Sequence, residues 1–320
     1  MRRRDFLGTA ALAGASLTAG LAGPSSGDAG TQRVIPKRKY GVTDVELSVI
    51  GFGGIVVVGM EQLEADRIVA ESVERGVNYF DVAPTYGAGE AETKLGPALE
   101  PYRKDAFLAC KTTQRKRAEA EKEFEQSLDR LRTDHFDLYQ LHGIKDVEKD
   151  VAGAFADDGV MKMMLEKQKA GQIRFLGFSA HSIEAAIAAF DRYDFQSALF
   201  PVNFACQLKN NWGGQVVEET RKRGAACLAL KAMARQRWPE NAPNRGRYGK
   251  CWYQPTSERE EASRALRWTL NQPVTAAVPP GEAELFRMAL DIASGPLEVT
   301  EEEVEQLRAA SDGLTPIFPL

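Results

Sequence analysis

Four polar side chains stand at or just beyond the ends of short apolar runs in this 320-residue sequence. Asp81 and Tyr86 follow the run VNYF, Lys111 follows FLAC, and His142 follows DLYQL. Short apolar runs bounded by turn residues are typical of buried strands. In a parallel barrel the carboxyl ends of the strands share one face, where active sites are built. We therefore expect these four side chains to meet on that face.

A tyrosine, a lysine, an aspartate and a histidine together are suited to proton transfer at a carbonyl oxygen. Carbonyl reduction needs a general acid within hydrogen-bonding reach of the developing alkoxide. Tyr86 is the candidate general acid and base, and the ammonium of Lys111 should lower its pKa from about 10 by stabilising the phenolate. Asp81 would keep Lys111 in place and charged, and His142 would donate a second hydrogen bond to the substrate oxygen.

Each of these side chains also has a structural explanation. Tyr86 could pack as a loop aromatic, Lys111 could lie on the surface, and His142 could be a hydrogen-bonded core residue. Asp81 could cap the loop that follows its strand. Their order and their shared placement at strand ends favour the catalytic explanation.

The elements that must position these side chains alternate between strand and helix along residues 31–320. Helical spacing of apolar residues follows each short strand pattern, and eight strands can be counted. The alternation predicts an α/β fold, a single (β/α)8 TIM barrel with an N-terminal hairpin and an extra C-terminal helix over 301–313. We also expect a helix over 151–171 and a loop over 235–255 that covers the mouth of the site.

Four motifs in order carry a resemblance to a known family. The segments DVAPTYGAGEAETKLGPAL, CKT, DLYQLHG and IRFLGFSAHS resemble the aldo-keto reductases, and the resemblance extends upstream through RKYGVTDVELSVIGFGG. It covers about residues 38–293, and the agreement of several spaced motifs makes it specific. The resemblance implies that Asp81, Tyr86, Lys111 and His142 are the catalytic tetrad and that the cofactor is NADP.

The cofactor contacts that the resemblance implies are partly altered in this sequence. Ser179 matches the serine that binds the nicotinamide carboxamide, but Ala180 replaces the neighbouring asparagine and Leu199 stands near the position of a glutamine. Lys231 stands where many members have an aromatic residue. The implied cofactor-binding residues are Gly54, Ile55, Asp81, Ser179, Asn203, Lys231 and Gly281. Glu282 would repel a 2′-phosphate, so NAD is also possible.

The first residues, MRRRDFLGTAALAGASLTAGLAG, resemble a twin-arginine export signal. We therefore predict a signal peptide and tether over residues 1–30, a periplasmic or extracellular location, and the twin-arginine export machinery as a partner. A Sec signal peptide or a membrane anchor is the alternative. The stretch is only weakly apolar for a transmembrane helix, so no stable membrane span is expected.

Composition narrows the range of partners. The formal net charge is −4, so nothing points to nucleic acid or to an anionic membrane. The four cysteines form neither a CxxC pair nor a metal-binding spacing. They are expected to be buried small residues, with a disulfide between Cys206 and Cys251 left open.

Three functions remain as hypotheses. The first is a nicotinamide-dependent oxidoreductase that acts on a small aldehyde, ketone or sugar; arginines in the 235–255 loop would suit a sugar. The second is a catalytically quiet sensor or accessory module that binds the cofactor on the same fold. The third is a metal-dependent hydrolase or isomerase that uses Asp81, His142 and His181, which the scarcity of histidine disfavours.

Overall fold

The computed structural model describes residues 34–319. The predicted signal peptide and tether over residues 1–30 lie outside these residues. Within residues 34–319, no helix is both long enough and apolar enough to cross a membrane.

Twelve strands are present in this part of the chain. They are β1 (Lys37–Lys39), β2 (Glu46–Ser48), β3 (Phe52–Gly53), β4 (Tyr79–Asp81), β5 (Phe107–Thr112), β6 (Phe136–Ile144), β7 (Ile173–Ala180), β8 (Ser197–Pro201), β9 (Ala226–Leu230), β10 (Ala234–Arg237), β11 (Tyr253–Pro255) and β12 (Ala276–Val278). Eight of them form one parallel sheet in the order β12-β9-β8-β7-β6-β5-β4-β3. The two edges of this sheet meet through a parallel bridge between Ile50 and Ala277, with Gly51 N donating to Ala277 O at 2.9 Å. The sheet is therefore a nearly closed barrel, and the predicted α/β barrel is confirmed.

Ten α-helices follow or flank the strands. They are α1 (Gln62–Glu74), α2 (Glu90–Leu99), α3 (Arg117–Leu131), α4 (Val160–Lys169), α5 (Ile183–Arg192), α6 (Phe204–Asn210), α7 (Gly214–Lys222), α8 (Arg259–Leu270), α9 (Ala283–Ala293) and α10 (Glu301–Asp312). The helix α10 is the expected extra C-terminal helix. It begins with a capping box between Thr300 and Glu303, and Leu307 is buried.

The barrel interior and the layer outside it are filled by different faces of the same strands. Successive side chains of a strand point to opposite faces. Inward residues such as Phe107 and Leu138 form an interior cluster, whereas Cys110 and Tyr139 belong to the larger cluster outside. The antiparallel hairpin of β1 and β2 adds Tyr40 and Leu47 to the interior cluster, as expected for an entry hairpin.

Two local predictions were wrong, and one helix was missed. Residues 151–171 are not one helix, because a π-helical turn (Val147–Ala152) ends before the polar turn around Asp157 and α4 begins only at Val160. The ribbon of β10 and β11 lies where a loop was expected over 235–255, and the helix α6 was not predicted. Both depend on contacts with distant residues, such as Thr256 N donating to Met233 O at 2.8 Å.

Candidate active site

The carboxyl ends of the barrel strands bring the predicted polar side chains together. Asp81, Lys111, His142 and Ser179 lie on β4, β5, β6 and β7, near the end of each strand. All four line one cavity, together with Tyr86 from the loop after β4. The alternation of strand faces explains this convergence, because the inward positions of neighbouring parallel strands lie side by side.

Lys111 is the centre of the polar network in this cavity. Its buried ammonium donates to Asp81 Oδ1 at 2.5 Å, to Val82 O at 3.1 Å and to Tyr86 Oη at 3.2 Å. Three acceptors match the three protons of an ammonium group. Burial by itself would lower the pKa of Lys111. The interactions with Asp81 and Tyr86 outweigh burial and raise the pKa above its ordinary value. Lys111 is therefore a charged, fully bonded group whose third proton points at the phenol.

Two side chains that the sequence interpretation missed hold the other oxygen of Asp81. Tyr79 Oη and Gln140 Nε2 each donate to Asp81 Oδ2 at 3.2 Å. Both are buried, and each lies two residues before a predicted site residue on the same strand. The alternation of side chains along a strand could have identified them, because residues two apart point to the same face.

Tyr86 stands on a tight connection between β4 and α2. Gly87 and Gly89 adopt left-handed φ values of 60° and 94°, which glycine accepts because it lacks a Cβ. The pKa of Tyr86 is raised, because burial outweighs the opposing effect of Lys111. Lys111 does lower the pKa of Tyr86, as expected, but by less than burial of the phenolate raises it. Tyr86 is therefore a neutral proton donor at pH 7.

His142 and His181 are neutral groups in the same cavity. Burial, with added repulsion from Lys111, lowers the pKa of His142 to about 3. Burial, with repulsion from Lys231, lowers the pKa of His181 to about 4. The ring of His142 meets the ring of Tyr86 edge to face, with centroids 5.8 Å apart. An uncharged imidazole next to the phenol can donate a hydrogen bond to an oxygen without adding a charge.

These two pKa values predict how the fold responds to acid. In the unfolded chain an imidazole takes up a proton below about pH 6.5, whereas the folded protein binds these protons only near pH 3 and 4. The unfolded state then holds more protons, so the free energy of unfolding should fall as pH drops from about 6.5 towards 4. NMR titration of the imidazole resonances measures the two pKa values directly. A resonance of His142 that titrates near pH 6.5 would contradict the assignment.

The cavity has a volume of about 250 Å³ and is lined by most of the predicted site residues. Of the implied cofactor contacts, Ile55, Asp81, Ser179, Lys231 and Gly281 line it, whereas Gly54 and Asn203 are not among the lining residues. Ser179 Oγ accepts a hydrogen bond from Gly143 N at 2.7 Å, which ties β7 to the end of β6.

Asn203 has a structural role in this fold. Its side chain is buried, accepts from Cys206 N at 3.1 Å and caps α6. Its Nδ2 donates to Lys231 O at 3.0 Å and to Ala234 O at 2.5 Å. The amide is thereby occupied by backbone groups and does not face the cavity.

The 235–255 loop reaches the cavity, as expected, but its arginines do not line it. Lys250, Cys251, Trp252 and Tyr253 line it. The arginines that were expected to suit a sugar make other contacts: Arg235 pairs with Glu261, Arg237 donates to Pro319 O, and Arg247 pairs with Glu284. The expectation that this loop borders the site is supported, and the argument for a sugar from its arginines is not.

Within residues 34–319, the site contains neither a disulfide bond nor a cluster of metal ligands. All four thiols, including Cys206 and Cys251, are buried and unpaired. Over residues 34–319, no group of three His, Cys, Asp or Glu residues is close enough to hold a metal ion. Asp81, His142 and His181 thus do not form the metal centre that the third hypothesis requires.

The fold and this cavity define a (β/α)8 barrel protein with a tyrosine, a lysine and an aspartate joined by hydrogen bonds at the active-site face. The model of the Aldo/keto reductase family matches residues 49–206. The oxidoreductase YqkF of Bacillus subtilis is 26% identical over 85% of this chain and 95% of its own length. Residues 49–206 are therefore similar to the aldo/keto reductase family, and most of the chain is similar to an oxidoreductase.

Two further proteins are similar to this chain. The aldo-keto reductase yakc [NADP(+)] of Schizosaccharomyces pombe is 31% identical over 49% of each chain. The holo form of aldo-keto reductase AKR11C1 from Bacillus halodurans has a TM-score of 0.69 and 21% identity, covering 89% of this chain and 99% of that one. At this level of identity the structural match shows the fold alone.

Proposed function

We propose that this protein is a nicotinamide-dependent oxidoreductase that reduces the carbonyl of a small aldehyde, ketone or sugar, or catalyses the reverse oxidation. Tyr86 is the general acid and base. The observation that carries the proposal is the buried chain of hydrogen bonds from Asp81 through Lys111 to the hydroxyl of Tyr86, which ends in the cavity.

The chemistry follows from the protonation states of the site. A nicotinamide held in the cavity would supply the hydride for reduction, and the carbonyl oxygen of the substrate would then need a proton. Tyr86 is protonated at neutral pH and donates that proton. Lys111 stabilises the phenolate that remains, since its ammonium is 3.2 Å from the oxygen. His142 donates a hydrogen bond to the same oxygen as negative charge develops.

The residues around the cavity fit an anionic dinucleotide. Three lysines line it, Lys111, Lys231 and Lys250, against the single carboxylate of Asp81. The helix α9 begins beside the lining residue Gly281 and has no side chain capping its first amides. Free amides at a helix N-terminus suit a phosphate. We infer that Ile55, Ser179 and Gly281 contact the nucleotide, with NADP as the cofactor and NAD as the alternative.

We also infer that the protein is exported to the periplasm or the extracellular space by the twin-arginine machinery. The support is the segment MRRRDFLGTA at the start of the sequence. Residues 1–30 are then the signal and tether, and residues 31–320 are the reductase domain. Fractionation of cells that express the chain with Arg2 and Arg3 changed to lysine tests this inference. Unchanged export of that variant would exclude it.

Titration of the 31–320 domain with NADPH and NADH, followed by turnover of a panel of aldehydes, ketones and sugars, tests the function. We expect micromolar binding of one nucleotide and its oxidation only when a carbonyl compound is present. Binding without turnover would favour the quiet sensor or accessory module. Failure to bind either nucleotide would contradict the proposal and would agree with loss of the nicotinamide site through the changes at Ala180, at Leu199 and after β12.

A further inference from the structure

Lys231 presents a positive charge to the cavity without a carboxylate to pair with it. It follows directly after β9, at the same end of the barrel as the tyrosine and lysine of the site, and its side chain is half-buried. Across residues 34–319, no side-chain or backbone acceptor lies within hydrogen-bonding distance of its ammonium. Removing a charge from water without a counter-ion costs free energy, even when the side chain is only half-buried. Binding of an anion next to Lys231 would therefore be favourable.

The backbone holds Lys231 in an unfavourable conformation. Its φ value is 65°, in the left-handed region that residues with a Cβ rarely adopt. Two hydrogen bonds to its carbonyl keep it there, from Asn203 Nδ2 at 3.0 Å and from Ala234 N at 2.9 Å. Strained backbone of this kind concentrates at functional sites, where surrounding structure maintains it.

Two aromatic rings support the ammonium in place of a carboxylate. The Nζ atom lies 5.6 Å from the ring centroid of Trp252 and 4.9 Å from that of Tyr253. Ring faces attract a cation without neutralising it. Burial lowers the pKa of Lys231 to about 8, so most of the molecules carry the charge at pH 7. Lys231 therefore keeps its positive charge at pH 7, and the two rings hold its ammonium without pairing it with a negative group.

The other cations of the cavity are already engaged. Lys111 is paired with Asp81, and the ammonium of Lys250 donates to Val56 O at 2.9 Å. His142 and His181 are neutral at pH 7. Lys231 is therefore the cation of the cavity, within the described part of the chain, whose ammonium has no hydrogen-bond acceptor.

We propose that Lys231 is a substrate-binding residue and that the preferred carbonyl substrates carry a carboxylate, which pairs with its ammonium while the carbonyl oxygen lies at Tyr86 and His142. This inference rests on the proposed carbonyl reduction and adds the substrate class. Asn203 is then a positioning residue that acts through the backbone of Lys231.

The test compares 4-carboxybenzaldehyde with 4-methylbenzaldehyde as substrates of the wild type and of Lys231→Met. We expect kcat/KM for the carboxylate to fall about 10- to 100-fold, the range for loss of a charge-assisted hydrogen bond. For the neutral aldehyde we expect less than about a threefold change, because the hydrophobic stem is retained. Lys231→Arg should keep part of the preference for the carboxylate. Equal losses on both aldehydes would overturn the proposal.

Lys250→Met is the matched control, since it removes the same charge from another part of the cavity wall. If the proposal is right, Lys250→Met lowers kcat/KM for the carboxylate, relative to the neutral aldehyde, by less than Lys231→Met does. An equal effect would mean that net charge, and not contact with Lys231, selects the substrate. A weaker Kd for NADPH in Lys231→Met with unchanged substrate preference would instead assign Lys231 to the cofactor and overturn the proposal.

Calorimetric titration separates this inference from the proposed reaction. Binding of 4-hydroxymethylbenzoate and of 4-methylbenzyl alcohol is measured with the protein alone and with saturating NADP. Carboxylate binding that depends on Lys231 without any turnover would support the anion site and refute the reductase. Turnover of both aldehydes with no role for Lys231 in carboxylate binding would support the reductase and refute the anion site.

Discussion

Tyr86→Phe should lower kcat for carbonyl reduction by about 10²- to 10⁴-fold, the contribution of a positioned general acid. The variant keeps the ring and its edge-to-face contact with His142, whose centroid is 5.8 Å away, and loses only the hydroxyl that accepts from Lys111. Affinity for the nucleotide should change little. Steady-state turnover and a fluorescence titration with NADPH measure the two effects separately.

Tyr79→Phe is the matched control for this substitution. It also removes one buried phenolic hydroxyl from the barrel, but that hydroxyl donates to Asp81 and does not line the cavity. We expect a loss of less than about tenfold, because Gln140 still donates to the same oxygen and the net loss is that of one ordinary hydrogen bond. Unchanged turnover in Tyr86→Phe would end the assignment of Tyr86 as the acid.

Lys111→Met should destabilise the fold and abolish the reaction together. Asp81 and Lys111 are both buried, and their atoms Oδ1 and Nζ are 2.5 Å apart. Removal of one partner leaves an uncompensated charge in the interior, which costs about 3–5 kcal/mol. Urea denaturation measures this loss of unfolding free energy.

The double variant Asp81→Asn with Lys111→Met separates stability from catalysis. With neither charge present, the free energy of unfolding should recover most of the loss, since the remaining groups are neutral. Activity should not recover, because no ammonium is left to stabilise the phenolate of Tyr86. If the single variant were as stable as the wild type, the pair would not be buried as the structure shows. If the double variant regained turnover, Lys111 would have no catalytic role.

The sequence by itself determined the barrel and the convergence of Asp81, Lys111 and His142. Both follow from local patterns: short apolar runs form strands, and a period of two selects which side chains point inward. The same period pointed to Tyr79 and Gln140, although the sequence interpretation did not use it there. The carboxyl ends of parallel strands share a face in any such barrel, so the order along the chain was sufficient to place these residues.

Only the tertiary structure decided the electrostatics and the remaining wall of the cavity. The pKa of Tyr86 is raised although Lys111 is in contact with it, because the cost of burial depends on every group packed around the phenol. Asn203 is turned from the cavity by backbone groups near Lys231. Trp252 reaches the ammonium of Lys231 through a loop whose path depends on long-range contacts. Such contacts join residues far apart in the chain, and no local pattern encodes them.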